Sequence, residues 1–173
     1  MFLDETAAAT NMARRYGWAP RGERCRLAAP SGHYKTTTVT AALRTSGLCA
    51  TALLDGPTNG RRFRSYVTET LIPALQPGDI VVMDNLPAHK VAGVREAIEA
   101  AGARLMYLPS YSPDLNPIEQ AFAKLKALLR SAAARTIPDL WAAIRQAFTH
   151  FTPQECRNYL AAAGYEDDLA VAT

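Results

Sequence analysis

Apolar positions fall in short bursts over the first half of the chain and in longer helical stripes over the second. Met1-Phe2-Leu3 is a brief apolar run closed by Asp4 and Glu5, so Met1 to Asp4 reads as the tail of a buried strand. Residues 24–29 and 35–44 read as two further extended segments, joined by a turn at Pro30-Ser31-Gly32. The second carries Lys35-Thr36-Thr37-Thr38-Val39-Thr40, whose β-branched side chains suit a pleated surface. Leu48 to Leu54 is another apolar run, set between Gly47 and Asp55-Gly56-Pro57. Asn59 is placed to cap a helix over Gly60 to Leu75, interrupted near its end by Pro73. After the Pro77-Gly78 turn, Ile80-Val81-Val82-Met83 has no polar break, the pattern of a central strand covered on both faces.

Beyond residue 90 the period lengthens. Val91 to Ala101 has helical spacing and stops at Gly102, in the position of a C′ glycine. Arg104 to Leu108 predicts a strand ended by Pro109, and residues 110–117 a proline-punctuated loop. Three helices follow, over Pro117 to Ala134, Pro138 to Phe151 and Pro153 to Ala163, each with proline in its first turn. Trp141, Phe148 and Phe151 stand at spacings of seven and three, a core stripe. Extended segments, then strands alternating with helices, then a helical tail describe an α/β sandwich on a mixed sheet. With 173 residues and no repeat or linker, residues 1–173 read as one domain.

Composition narrows the classes. Hydrophobic residues make up 49% and charged residues 20%, an ordinary globular balance. No apolar run reaches the ~18–20 residues needed to span a bilayer and no signal peptide opens the chain, so no membrane partner is expected. Cys25, Cys49 and Cys156 form no C-x-x-C pair, which argues against a zinc site or a disulfide framework and for a reducing cytoplasm. The net charge of +3 is too small to imply nucleic acid by itself. Yet 15 of the 19 basic residues are arginine, the side chain suited to forked phosphate contacts. They bunch at Arg14 and Arg15, at Arg21, Arg24 and Arg26, and at Arg61, Arg62 and Arg64; Lys124, Lys126 and Arg130 share one helix. Each cluster is either a phosphate contact or a solvated surface; Arg14, Arg15, Lys124, Lys126 and Arg130 are the candidate DNA contacts.

Asp4 and Asp84 each follow a buried run, at positions where strands are expected to end. A charge there is costly unless a cation, a salt bridge or a helix N-terminus neutralises it. Glu119 lies one turn into the helix after Leu108-Pro109-Ser110-Tyr111-Ser112-Pro113-Asp114-Leu115-Asn116, a loop stiffened by prolines. Three carboxylates with no histidine or cysteine cluster make a hard-oxygen set, suited to Mg²⁺ or Mn²⁺ rather than zinc. Two such ions ~3.5–4 Å apart can serve in-line attack on a phosphodiester.

The stretches Phe2-Leu3-Asp4-Glu5-Thr6, Val82-Met83-Asp84-Asn85-Leu86-Pro87-Ala88-His89 and Leu108-Pro109 through Asn116-Pro117-Ile118-Glu119 resemble the motifs of DDE transposases. The 34 residues between Asp84 and Glu119 are similar to the spacing of the insertion-sequence-630 and mariner superfamily. Tyr16-Gly17-Trp18-Ala19-Pro20-Arg21-Gly22 and Cys156-Arg157-Asn158-Tyr159-Leu160 to Gly164-Tyr165 resemble further family segments, so the likeness covers nearly the whole chain.

The resemblance implies an α/β, RNase H-like three-layer fold with a central mixed five-stranded sheet flanked by helices. It implies that Asp4, Asp84 and Glu119 are catalytic and hold Mg²⁺, with Mn²⁺ as substitute, as two ions. The implied reaction is cleavage at transposon ends followed by strand transfer, without a covalent protein intermediate. The implied partners are double-stranded DNA (transposon ends and a TA-type target) and a second copy in a homodimeric DNA complex, in a bacterial, nucleoid-associated setting. Relatives carry an N-terminal helix-turn-helix region; the first acid here is the fourth residue, so that region is expected to be absent and a separate DNA-binding subunit to supply it. The alternatives are an inactive remnant acting only as a DNA-binding or regulatory protein, and another RNase H-like nuclease.

Asn85, His89 and Asn116 are candidates to stand behind the ligands and orient them; His89, five residues past Asp84, is either near enough to approach the scissile phosphate or a plain loop or helix-start residue. On a strand Glu5 points away from Asp4, which favours a structural or outer-sphere place for it over direct metal contact. Asp55 is the rival ligand, although Gly56-Pro57 favours a turn; Asp114 reads as a turn residue. His33 and His150 have no evident partner. Tyr111 could stack on a base or pack in the core.

Overall fold

The computed structural model describes residues 1–30, 32–110 and 112–165. Five strands form one sheet: β1 (Phe2–Ala9), β2 (Thr36–Arg44), β3 (Gly47–Asp55), β4 (Ile80–Met83) and β5 (Arg104–Tyr107), in the order β3-β2-β1-β4-β5. The first three pair antiparallel in sequence, whereas β4 and β5 join parallel beside β1. The sheet is therefore mixed.

Side-chain alternation divides the sheet into two apolar faces. Phe2, Ala8, Val39, Ala41 and Leu43 face α3 (Ile118–Ala132), α4 (Ile137–Phe148) and α5 (Pro153–Ala162), against Ile118, Phe122, Leu125, Leu140 and Ile144. Leu3, Ala42, Val81, Met83 and Leu105 face α1 (Gly60–Tyr66), its continuation through a wide turn to Ala74, and α2 (Val94–Ala100). Helix, sheet and helix make three layers. The aromatic stripe expected on α4 packs at this first face, where Trp141 donates its indole N–H to Thr37 Oγ1 at 2.9 Å.

The helix starts follow local chemistry. Asn59, Thr136 and Thr152 accept backbone N–H groups at the starts of α1, α4 and α5. Gly102 adopts φ 80 just past α2, a left-handed turn that a side chain disfavours.

Two expectations fail. Residues 24–29 form no strand; they belong to an exposed excursion between β1 and β2. Their apolar members, Leu27 among them, find no neighbouring strand to pair with. Nor do Asp4 and Glu5 end β1. Asp4 is the third residue of an eight-residue strand, because Thr6, Ala7 and Ala8 carry the pairing with β2 on past the acids. Tyr111 and Ser31 lie outside the described residues. Among the described residues no helix is long and apolar enough to cross a membrane.

Candidate functional site

The site begins at a fork in the sheet. β1 and β4 run parallel only through Phe2↔Val82 and Leu3↔Met83; β4 then ends while β1 continues. Asp4 is the next residue of β1 and Asp84 the first residue beyond β4, so the register sets them side by side where the two backbones part. From Met83, whose carbonyl accepts the Leu108 N–H at 2.8 Å, the chain after β5 crosses over this opening. It returns as a short 3₁₀ turn, Pro113–Leu115, and enters α3 with Glu119 exposed in the first turn. Asp4, Asp84, Asn85, Asn116 and Glu119 thereby line one cleft of about 400 Å³, walled by Leu108, Pro109 and Pro113.

Asp4 is the floor, only 8% exposed. Its Oδ2 accepts the Asn116 side-chain amide at 2.8 Å and its Oδ1 the Glu5 backbone N–H at 2.7 Å. Burial, followed by the negative charges of Asp84, Glu119 and Glu5, overrides that backbone donor and pushes its pKa up to about 7.

Asp84 has the opposite setting. Burial works against its charge, but His89 and the Leu86 N–H, 3.1 Å from Oδ1, outweigh it and hold the carboxyl below the usual range. His89 Nδ1 stands 2.5 Å from Asp84 Oδ1, at ion-pair distance but off the alignment of a good hydrogen bond. Its other nitrogen, Nε2, meets Glu5 Oε2 at 2.7 Å. Burial would lower the imidazole pKa; the two carboxylates win and raise it to about 10.

The acids are thus gathered in one cleft, where the charges of Asp84 and Glu119 both act on Asp4. As placed, no group of three or more His, Cys, Asp or Glu side chains among the described residues encloses a point where an ion would sit. Asn116 lies directly behind Asp4 and His89 directly behind Asp84. Asn85 is tied to Ser110 Oγ at 3.1 Å on the cleft rim. Asp55 is exposed at the end of edge strand β3 and lines no part of the cleft, and Asp114 is exposed on its 3₁₀ turn. His33 and His150 are exposed.

A family model described as DDE superfamily endonuclease matches residues 1–141. The chain belongs to this family. The Tc1 transposase of Caenorhabditis elegans is 30% identical over 99 residues, 51% of this chain and 36% of that protein. Solved structures share the fold. The Mos1 transposase paired-end complex with left transposon end superposes with a TM-score of 0.72 at 19% identity, covering 96% of this chain and 52% of that one. The Mos1 catalytic domain with Raltegravir and Mg gives 0.65 at 17% identity, over 96% of this chain and 77% of that one. The fold is therefore the RNase H-like one of the Mos1 catalytic domain, and the chain spans about half the length of Mos1 in the first of these and about a third of Tc1.

In this DDE endonuclease chain the basic candidates divide. Arg14 and Arg15 are exposed, within an excursion that also presents Arg21, Arg24 and Arg26. Lys126 and Arg130 are half-buried along α3. Lys124 instead points into the fold: its ammonium donates to His150 O at 2.7 Å, pairs with Glu155 and lies over the Phe151 ring. A lysine with those partners joins α3 to α5 and is a poor phosphate contact. The coupling of Glu5 to His89 is what sequence reading missed. An acid one step from Asp4 must face the opposite, apolar layer and needs a partner there, and that was the available signal.

Proposed function

We propose that this chain is the catalytic part of a transposase, cutting DNA at transposon ends and transferring the freed strand, with Asp4, Asp84 and Glu119 as its metal-holding carboxylates. The observation that carries the reading is the Leu3↔Met83 register, which sets Asp4 against Asp84 in the cleft where α3 presents Glu119.

The donor set fits a hard divalent cation. It is all oxygen, with no cysteine lining the cleft. Asp4, pushed up to about 7 by burial and neighbouring anions, is a carboxyl that an added cation would ionise. Asp4, Asp84 and Glu119 would hold Mg²⁺ or Mn²⁺, as two ions. Bound there, such ions would supply activation of the attacking oxygen and stabilisation of the leaving one. Structures of Mos1 with Mn and with Mg give the same direction.

The chain's own residues do the rest. Asn116 holds Asp4 from behind, and Pro109 and Pro113 stiffen the loop that aims Glu119. Asn85, His89 and Asn116 form the supporting layer. Exposed Arg14 and Arg15, with Lys126 and Arg130, supply cationic surface for double-stranded DNA, including transposon ends and a TA-type target. The working assembly is a homodimer on DNA, in a bacterial cytoplasm at the nucleoid.

Nicking of supercoiled DNA in Mg²⁺ or Mn²⁺ tests this. Asp84→Asn and Glu119→Gln are expected to lose activity by at least ~10²-fold, the scale of removing one electrostatic group at a reacting centre, while Asp55→Asn keeps it. Equal nicking by wild type and Asp84→Asn ends the proposal.

A further inference from the structure

We propose that Glu5 and His89 form a two-residue brace that fixes the carboxylate of Asp84, Glu5 holding the imidazole and the imidazole holding Asp84. The inference rests on the reading of Asp84 as a metal ligand and assigns the pair a positioning role.

Glu5 occupies an unusual place. Strand alternation turns it away from the cleft into the layer of Leu3, Phe63 and Val67, where its side chain is only 11% exposed. Its partner there is His89 Nε2, at 2.7 Å, while Oε1 is buried without one among the described residues. A carboxylate–imidazole pair in an apolar layer commonly stabilises no better than hydrophobic residues of the same volume, so folding alone gives weak reason to keep it.

His89 is held on every side. It is 1% exposed, and its ring lies 4.3 Å from that of Phe63, centroid to centroid. Its backbone N–H donates to Leu86 O at 3.0 Å and its carbonyl accepts the Tyr107 hydroxyl at 3.2 Å. The ring cannot swing, so Nδ1 stays on Asp84 Oδ1. The Leu86 N–H reaches the same oxygen. Both restraints fall on Oδ1, and Oδ2 has no hydrogen-bond partner among the described residues. One oxygen is anchored and the other is left to the cleft that Asp84 lines. Groups that orient metal ligands in this way typically change metal affinity by 10–100-fold.

Titrating the folded chain with Mn²⁺ and reading free Mn²⁺ by electron paramagnetic resonance tests the brace apart from DNA cleavage. An asparagine amide nitrogen falls near the position of Nδ1 and a glutamine amide near that of Nε2. His89→Asn therefore keeps a donor toward Asp84, and His89→Gln keeps only the reach to Glu5. Glu5→Gln and His89→Gln are expected to weaken Mn²⁺ about 10-fold, and His89→Asn distinctly less. Equal Mn²⁺ binding by wild type and Asp84→Asn overturns the metal-ligand reading and the brace with it. If Asp84→Asn alone weakens binding, and Glu5→Gln and both His89 variants stay within about twofold of wild type, the brace is wrong and the metal site stands. Equal losses in His89→Asn and His89→Gln make the ring a space-filler and also refute it. Should circular dichroism show the His89 variants unfolded, Glu5→Gln decides alone.

Discussion

The two sides of the cleft treat the same functional group in opposite ways. On the β1 side, Asp4 is nearly enclosed, with an amide and a backbone N–H as its donors and three other carboxylates acting on it. On the β4 side, Asp84 is more open and has an imidazole raised to about 10 beside it. Burial opposes the charge of both. Asp84 stays ionised because the fold supplies a positive partner, whereas Asp4 is driven up to about 7 for want of one. Depth and counter-charge act together: Asp4 is the more deeply buried of the two and has no positive partner, so the β1 side is where a cation has most to contribute.

The largest test of that contrast is the pH dependence of stability without added metal. A carboxyl raised from about 3.9 unfolded to about 7 folded binds its proton more tightly in the native state. Its unfavourable contribution is fully present above pH 7 and is relieved as pH falls from 7 to 4. Wild type should therefore gain stability over that window, on the order of a few kcal/mol, by denaturant melts. Asp4→Asn should flatten the slope and, at pH 8, be the more stable protein. An Asp4→Asn variant weaker than wild type at pH 8 would sink the account of the β1 side.

The next effect has the opposite sign. Asp84→Asn leaves the buried His89 with Glu5 alone, and should cost about 2 kcal/mol at pH 7, or roughly 4–8 °C in melting temperature. The raised His89 adds a second slope: its stabilisation is complete below pH 6.5 and is lost as pH rises through about 10. Asp84→Asn should shrink that alkaline loss. A neutral substitution at 84 with an unchanged alkaline limb would mean that His89 takes its proton affinity from Glu5 alone.

How much of this contrast could be read from the chain depended on range. The five strands that exist, and α3 to α5 to within a few residues, follow from apolar period and proline placement, which are local. Asp4 and Asp84 are legible because acids that close apolar runs are conspicuous, and Glu119 because a proline-stiffened loop leads into its helix. Segment 24–29 has the pattern of a strand but forms none, because a short apolar stretch carries no information about whether a partner strand lies beside it. A charge breaks an apolar run and so suggests a strand end at Asp4, although a strand continues wherever its backbone stays paired, as Glu5↔Thr40 and Thr6↔Val39 show. Lys124 looked like its helix neighbours until Glu155, some thirty residues on, claimed its ammonium. The Glu5–His89 pair spans 84 residues and requires the β1–β4 register before it can be seen.

The smallest effect sharpens the β1 side. Asn116 is 5% exposed and its amide donates to Asp4 Oδ2, while its own Oδ1 is buried without a partner among the described residues. A donor to an ionised carboxylate contributes about 1.5–3 kcal/mol and one to a neutral acid about 0.5–1.5. Removing the unpartnered Oδ1 offsets part of either figure, so Asn116→Ala should cost about 1 kcal/mol at pH 8, where Asp4 is charged, and less at pH 5. Losing that donor also disfavours the charged form, so the descending limb of the stability curve should extend to higher pH in the variant. Paired melts at the two pH values measure both. Equal losses at pH 5 and pH 8 would make Asn116 a packing residue indifferent to the charge on Asp4, and the asymmetry of the cleft would then rest on burial and the neighbouring acids alone.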